Sequence, residues 1–523
     1  MALTLKIVPW GPTQATVTTL LTEMAQRRSI KARLDATRNR FLRLKLVDEE
    51  KTARPTPPKK YRAITYDYTN NQTVQLEGSF DDPQSVEISE LGRQPLPNAD
   101  EFDAAVQILR NDPRIGPAIS QGQVQPFRPM PPLIEVERPD GRTERTLAVG
   151  LAAKEARPRH RIVGVNMINE TVLSDPPNVP SPSSTLCGPP AMGGCESTGT
   201  SGQVKVTVSQ GATVLWEFVV LRPAVSSGVV GSGVELRHVF YKGKQVLYRA
   251  HVPILNVEYF EDGIADGCGP VYRDWQNQEN CFEAKGADAI PGYRQCTAPA
   301  KTILETESDA GNFQGVAIYV QNQEVIVVSE MAAGWYRYIS RWSFNANGNI
   351  RPRFGFAAIE NKCTCHKHHH HVYWRMDFDI NTASKNVFEE FNSPPLGPTN
   401  WSLHKFEVNR QRDASHKRKW RVRNTATNSG YVLIPGLNDG NATSFGVGDI
   451  WAMRYRSTEL DDGQGYTEDP TLAKAHLDKF IANHESIENQ DVVVWYAAHF
   501  LHDEEHGEAG GHIVGPELRP FNW

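Results

Sequence analysis

The chain has 523 residues, too many for one ordinary domain, and 39% of them are hydrophobic, enough for a large core. Its 56 Lys and Arg against 61 Asp and Glu leave a formal charge of −5, which speaks against a nucleic-acid partner; the basic stretch NRQRDASHKRKWRV at 409–422 is short and reads as a solvated strand or loop. No window approaches 18 consecutive apolar residues, which argues against a membrane-spanning helix, and MALTLKIVPWGP lacks the charged and apolar parts of a secretory leader, so a cytoplasmic location is expected.

In chain order, Val17, Leu20, Leu21 and Met24 recur at helical spacing, which predicts an amphipathic helix over 13–34. Strand patterns follow at 40–47, 61–67 and 72–77, with the Pro-rich break TARPTPPKK after the first. The order then repeats. Asn98 and Glu101 mark a helix start, Phe102, Ala105, Val106 and Leu109 line one face, Pro113 ends it, and strands are predicted at 132–137 and 144–151. Two small α+β domains, 1–82 and 83–156, are therefore expected. From about 160 the chain is dominated by strands, at 204–208, 213–221, 234–240, 245–250, 314–320, 324–330, 335–343, 371–380, 430–434 and 491–497, with helical periodicity only at 470–483. So many strands imply a β-rich fold whose third domain, 157–523, is a large β-sandwich. The Pro/Gly/Ser-rich stretch 174–203 reads as a surface excursion.

Seven cysteines leave at least one unpaired within the chain. Cys187 and Cys195, in CGPPAMGGC, are placed to close a small disulfide. Cys363 and Cys365 form a C-x-C whose sulfurs are weaker candidates for soft metal ligands, because a zinc knuckle uses wider spacing.

The densest chemistry lies at 363–380, CTCHKHHHHVYWRMDFDI, which holds five of the sixteen histidines. Val372, Trp374, Met376 and Phe378 alternate with Tyr373, Arg375, Asp377 and Asp379, so 367–380 is predicted to be a strand. Residues two apart on a strand share a face, about 6.6 Å from each other. His368 and His370 therefore project together and His369 and His371 face the other way. An imidazole pair suits copper, zinc, iron or nickel. A further ligand is expected from the apolar run DVVVWYAAHFLH, which ends on His502, with His499 and His506 as competitors.

These blocks resemble the copper amine oxidases. VLYRAHVPILNVEY, YISRWSFNANGNIRPRFGF, HHHVYWRMDFDI, GYVLIPG, NQDVVVW and HIVGPELRPFNW follow in family order, and EFDAAVQILRNDPRIG resembles the helix opening that family's second small domain. The resemblance implies one copper held by His368, His370 and His502. His366, His369, His371, His499 and His506 are then accessory. It also implies a second cation, of the Ca²⁺ type, held by Asp377, Asp379, Asp491 and the carbonyls of Phe378 and Val492. It implies a homodimer, and oxidative deamination of a primary amine to an aldehyde, with O2 reduced to hydrogen peroxide and ammonia released. The family's cofactor, topaquinone, is made from a tyrosine beside the copper, and Tyr336 stands in that register. Here its neighbours are Trp335, Arg337 and Tyr338, where the family has Asn before it and an acid after it. The family's catalytic base is an Asp; Glu283 is its best counterpart in RDWQNQENCFEAKG, and Asp274 is the second candidate. The altered quinone motif keeps a second reading open, a copper oxidase or oxygenase with Tyr336 unmodified, and a third, a metal-binding protein without activity.

Overall fold

The structure, a computed structural model, describes the chain except residues 48–50, 52–54, 83, 93, 130–131, 135, 138–142, 154–159, 174–186, 191–201 and 503–511, and the side chains of 14, 25, 136–137, 152–153 and 160–161. Its centre is a sandwich of a ten-stranded and a twelve-stranded sheet, both largely antiparallel. The two inner faces meet in one core that includes Trp216, Trp342, Trp374, Trp420, Phe344 and Phe356. Alternating apolar positions on the facing strands supply it, as sheet-on-sheet packing requires.

Two four-stranded sheets precede the sandwich. One joins Asn39–Val47, Lys60–Asp67, Gln72–Ser79 and Val86–Leu91; the other joins Val124–Phe127, Thr146–Ala153, His160–Asn166 and Thr171–Val172. Pairing thus carries the first sheet to Leu91 and the second to Val172, beyond the boundaries at 82 and 156 expected from the sequence. It also returns Leu3–Pro9 to the large sheet, where this strand runs antiparallel to Gln203–Gln210. The expected first helix is two helices, Gln14–Gln26 and Arg28–Leu34, because Arg27 is extended between them. Val17, Leu20 and Met24 are buried on one side of it as the spacing predicts. The second helix, Ala99–Asn111, starts at Asn98, whose side chain accepts from the Glu101 N–H.

The helix expected over 470–483 does not form. Only Pro470–Ala473 is α-helical, with a 3-10 turn at Asp478–Phe480. The carbonyls of Ala473 and Lys474, which would continue it, accept from the Arg273 guanidinium instead. Ala475 and Leu477 are thereby pulled into a second apolar cluster with Tyr373, Trp451 and Trp495. In the basic stretch, Arg410 and Arg418 pair with Glu390 and Arg412 pairs with Asp449. Among the described residues, no helix is long and apolar enough to cross a membrane.

The strand His368–Phe378 lies inside the ten-stranded sheet, between Lys244–Tyr259 and Val492–His502. Val372, Trp374, Met376 and Phe378 face the other sheet, and Tyr373 faces the second cluster. Both faces are therefore covered, which explains its high apolar content. The neighbouring strand carries Pro253 where its register shifts between His251 and Ile254, a place where a missing N–H costs no ladder bond.

Candidate metal centre

The ladder explains how the histidines meet. His368 lies opposite His502, and His370 lies opposite Phe500, on the inner face of the sheet. The three imidazoles offer nitrogens that all lie within 4.8 Å of one another, and all three side chains are buried. His368 Nε2 and His370 Nε2 are 3.1 Å apart. Two imidazole nitrogens sharing one ion at about 2.0 Å would be roughly 2.8–3.3 Å apart, so the pair fits a single first-row metal. His368 Nδ1 donates to the His366 carbonyl, 2.6 Å away, which leaves Nε2 with its lone pair inward. Burial holds His368 and His370 well below the usual imidazole range, so both are neutral and free to bind metal at physiological pH.

A fourth imidazole packs beside these three. His512 stacks on His502 with ring centroids 5.0 Å apart and is itself buried. It opens the block HIVGPELRPFNW, whose first residue was its signal; the sequence reading assigned it no role. A narrow cavity lined by Pro189, Ile303, Leu304, His502 and His512 leads to this side of the centre.

Tyr336 comes from the opposite sheet, on Tyr336–Asn345, between Glu324–Ala333 and Ile350–Ala358. Its hydroxyl hydrogen-bonds His368 Nε2, and its ring meets His370 edge-on at 4.6 Å. Tyr338 stacks on it at 5.4 Å, nearly parallel. The Tyr338 hydroxyl donates to Asp274 Oδ2. Burial drives the Asp274 carboxyl up to about 7, the Tyr338 hydrogen bond works against this, and the nearby Glu468 charge adds to it. The two candidate bases are thus separated by position. Asp274 is fully buried beside the tyrosine pair. Glu283 is exposed, its backbone bridged to Lys301. Arg337, which stands where the family has an acid, is held by a two-pronged ion pair with Asp309 at 2.6 and 2.9 Å, which neutralises it locally. Trp335 is buried and meets Tyr272 edge-on.

Two expectations about cysteine are corrected. Cys187 bonds to Cys365 rather than to Cys195, and Cys363 bonds to Cys268, so neither member of the C-x-C is a metal ligand. The two bridges pin the turn Cys363–Cys365, three residues ahead of His368, to segments 178 and 95 residues away in sequence. Loops of that length make such cross-links worth about 4–5 kcal/mol by the chain-entropy argument. Cys281 is also disulfide-bonded, whereas Cys296 is the expected free thiol and is buried. Cys195 and His506 lie outside the described residues.

Asp377, Asp379 and Asp491 converge as expected, and Phe378 faces Val492 across the ladder. The cation among the carboxylates, however, is the ammonium of Lys51, at 2.8, 2.6 and 2.8 Å from the three. The rings of Tyr248 and Tyr455 flank it at 4.9 and 4.4 Å. An ammonium from the first small unit therefore stands where Ca²⁺ was expected. Burial lowers the Lys51 pKa, but the three carboxylates outweigh it and hold it raised, so the charge persists. Lys51→Met should leave an uncompensated acidic cluster and cost about 3 kcal/mol, near the lower end for a broken buried pair because Asp491 is partly exposed. The measurement is a thermal melt with and without millimolar Ca²⁺. Partial recovery by Ca²⁺ is expected, and an unchanged melting temperature in both would remove the clamp.

Residues 303–523 match the family model described as copper amine oxidase, enzyme domain. Copper-containing diamine oxidases are similar in sequence: that of Sus scrofa is 27% identical over 56% of this chain and 49% of its own length, and that of Mus musculus is 25% identical over 56% and 49%. The human diamine oxidase is 27% identical over 30% of this chain and 26% of its own. The chain thus spans about half the length, or less, of these curated relatives. Among solved structures, the copper-containing benzylamine oxidase from Hansenula polymorpha superposes with a TM-score of 0.61 over 98% of both chains at 13% identity, and the Aspergillus nidulans amine oxidase with 0.55 over 98% and 88%, also at 13%. The matched domain, the sequence relatives and the likeness of fold point the same way: residues 303–523 match the copper amine oxidase enzyme domain, and the chain is similar to copper-containing amine oxidases.

Proposed function

We propose that this chain is a copper-dependent amine oxidase that converts a primary amine, O2 and water to an aldehyde, ammonia and hydrogen peroxide. The observation that carries the reading is the contact of Tyr336 with two of the three clustered histidines, with Asp274 held one tyrosine away. His368, His370 and His502 would hold copper, and Tyr336 is the residue placed for oxidation to topaquinone. With both in place, the pair supplies the two-electron chemistry that oxidises the amine and passes electrons to O2. Asp274 takes the proton from the carbon bearing the amine, a role suited to a carboxyl titrating near 7. Tyr338 fixes the carboxylate by its hydrogen bond and fixes the Tyr336 ring by stacking. The apolar surround, including Phe356 stacked on His370 at 4.5 Å, excludes water from that proton.

One observation favours a copper oxidase that leaves Tyr336 unmodified: the residue before it in sequence is Trp335, a large buried indole. Peptide mass spectrometry on aerobically copper-loaded protein, with phenylhydrazine labelling, separates the two. A mass gain of two oxygens less two hydrogens on Tyr336 and a coloured adduct support the amine oxidase. An unmodified Tyr336 in active enzyme supports the alternative.

Among the described residues five cysteines are in disulfides, which favours an oxidising compartment over the cytoplasm expected from the sequence. The proposed assembly is a homodimer, so light scattering should give about twice the 58.4 kDa chain mass. A particle of one chain mass would contradict it.

A further inference from the structure

The outward histidines of the same strand have no part in the copper chemistry, yet they are not scattered. His369 lies opposite Glu258 on the neighbouring strand, and His371 lies opposite His499 on the other side. His369, His371 and Glu258 offer donor atoms that all lie within 4.8 Å of one another. We propose that Glu258, His369 and His371 form a second divalent-metal site, of the Zn²⁺ class, on the face of the strand opposite the copper centre.

The hydrogen bonds around His371 orient it as a ligand. A carbonyl can only accept, so His499 Nε2, 2.8 Å from the Gly448 carbonyl, carries a proton. With that proton on Nε2, the His499 Nδ1 can accept, and it lies 2.9 Å from His371 Nδ1. In the tautomer where His371 Nδ1 donates, His371 Nε2 keeps its lone pair. That atom is buried with no hydrogen-bond partner, in a side chain with no exposure, and it points toward Glu258 Oε2, 3.6 Å away. A lone pair facing a carboxylate is repulsive unless a cation lies with them. A ligand imidazole whose other nitrogen donates to a fixed partner is the usual arrangement at a metal.

The surroundings fit. His369 lies over His371, ring centroids 5.6 Å apart, and its buried Nδ1 also lacks a partner. Phe260 meets His369 edge-on at 5.3 Å, and the Thr443 hydroxyl reaches Glu258 Oε2 at 3.5 Å. Gly446 makes room for the imidazole: a Cβ there would come within 2.1 Å of His371 Nδ1. Glu258 and His369 are both partly exposed, which leaves an entry path and a fourth position for water. Two imidazoles, one carboxylate and one open position form a donor set that zinc takes readily.

The test is metal counting on the full chain. Protein loaded with one equivalent of copper is equilibrated with micromolar ZnCl2, gel-filtered, and analysed by inductively coupled plasma mass spectrometry. One zinc per chain beside the copper is expected. Glu258→Gln and His369→Ala, which change partly exposed side chains and should fold, are each expected to weaken zinc binding at least tenfold with copper unchanged. His368→Ala, which breaks the copper site, should still bind one zinc. No zinc beyond the copper in the unaltered protein, zinc retained unweakened in both first variants, or zinc lost in His368→Ala would each overturn the proposal.

Discussion

Replacing His370 by Ala is expected to empty the copper site at stoichiometric copper and to cut oxidase turnover by about 10³-fold or more. The magnitude follows from the several kcal/mol that a metal contributes to the reaction it supports. His370 Nε2 sits 3.1 Å from His368 Nε2, and its ring packs between Tyr336 and Phe356. Its loss therefore removes a metal donor and loosens the tyrosine that the chemistry depends on. His369→Ala is the internal control. It changes the adjacent residue on the opposite face, so copper content and oxidase turnover should persist. Metal analysis and an oxygen-electrode assay on both variants read the result. Copper retained in His370→Ala and lost in His369→Ala would mean that the strand presents the other pair to the metal.

Asp274→Asn is expected to lower kcat by about 10²–10⁴-fold while amine still binds, because an amide cannot accept the proton. The pH dependence supplies a second reading of the same residue. A base works ionised, and burial holds this carboxyl up to about 7. Below that pH kcat/KM should fall about tenfold per unit, and above it should level off. Tyr338→Phe deletes the hydrogen bond that favours the carboxylate. Its inflection should therefore move to higher pH, with a smaller loss of kcat than in Asp274→Asn. Glu283→Gln, at an exposed position, should retain nearly full activity. Steady-state kinetics across pH 5.5–9 decide the matter. An Asp274→Asn enzyme of normal kcat, or a Glu283→Gln enzyme that has lost it, would return the base to Glu283.

Much of the site was legible along the chain because its chemistry rides on local periodicity. Period-2 alternation through HHHHVYWRMDFDI places His368 and His370 on one face and His369 and His371 on the other, whatever the rest of the fold does. The ladder kept that division. The register of His502 and Tyr336, and the acidic trio of Asp377, Asp379 and Asp491, came from the resemblance of the blocks.

What only the tertiary structure decided were the contacts between segments far apart in sequence and the burial that sets chemical character. Lys51 follows a stretch with no metal-site signal, yet its ammonium crosses 326 positions to reach Asp377 and takes the place expected for Ca²⁺. Disulfide connectivity cannot be read from cysteine spacing, and here the nearest apparent partner of Cys187 was the wrong one. The expected helix over 470–483 failed because a buried arginine claimed its carbonyls, a tertiary demand stronger than local propensity. Asp274 and Glu283 look alike as letters nine positions apart. Only the fold separates them, burying Asp274 beside the tyrosine pair, where loss of water raises its carboxyl to about 7, and leaving Glu283 exposed.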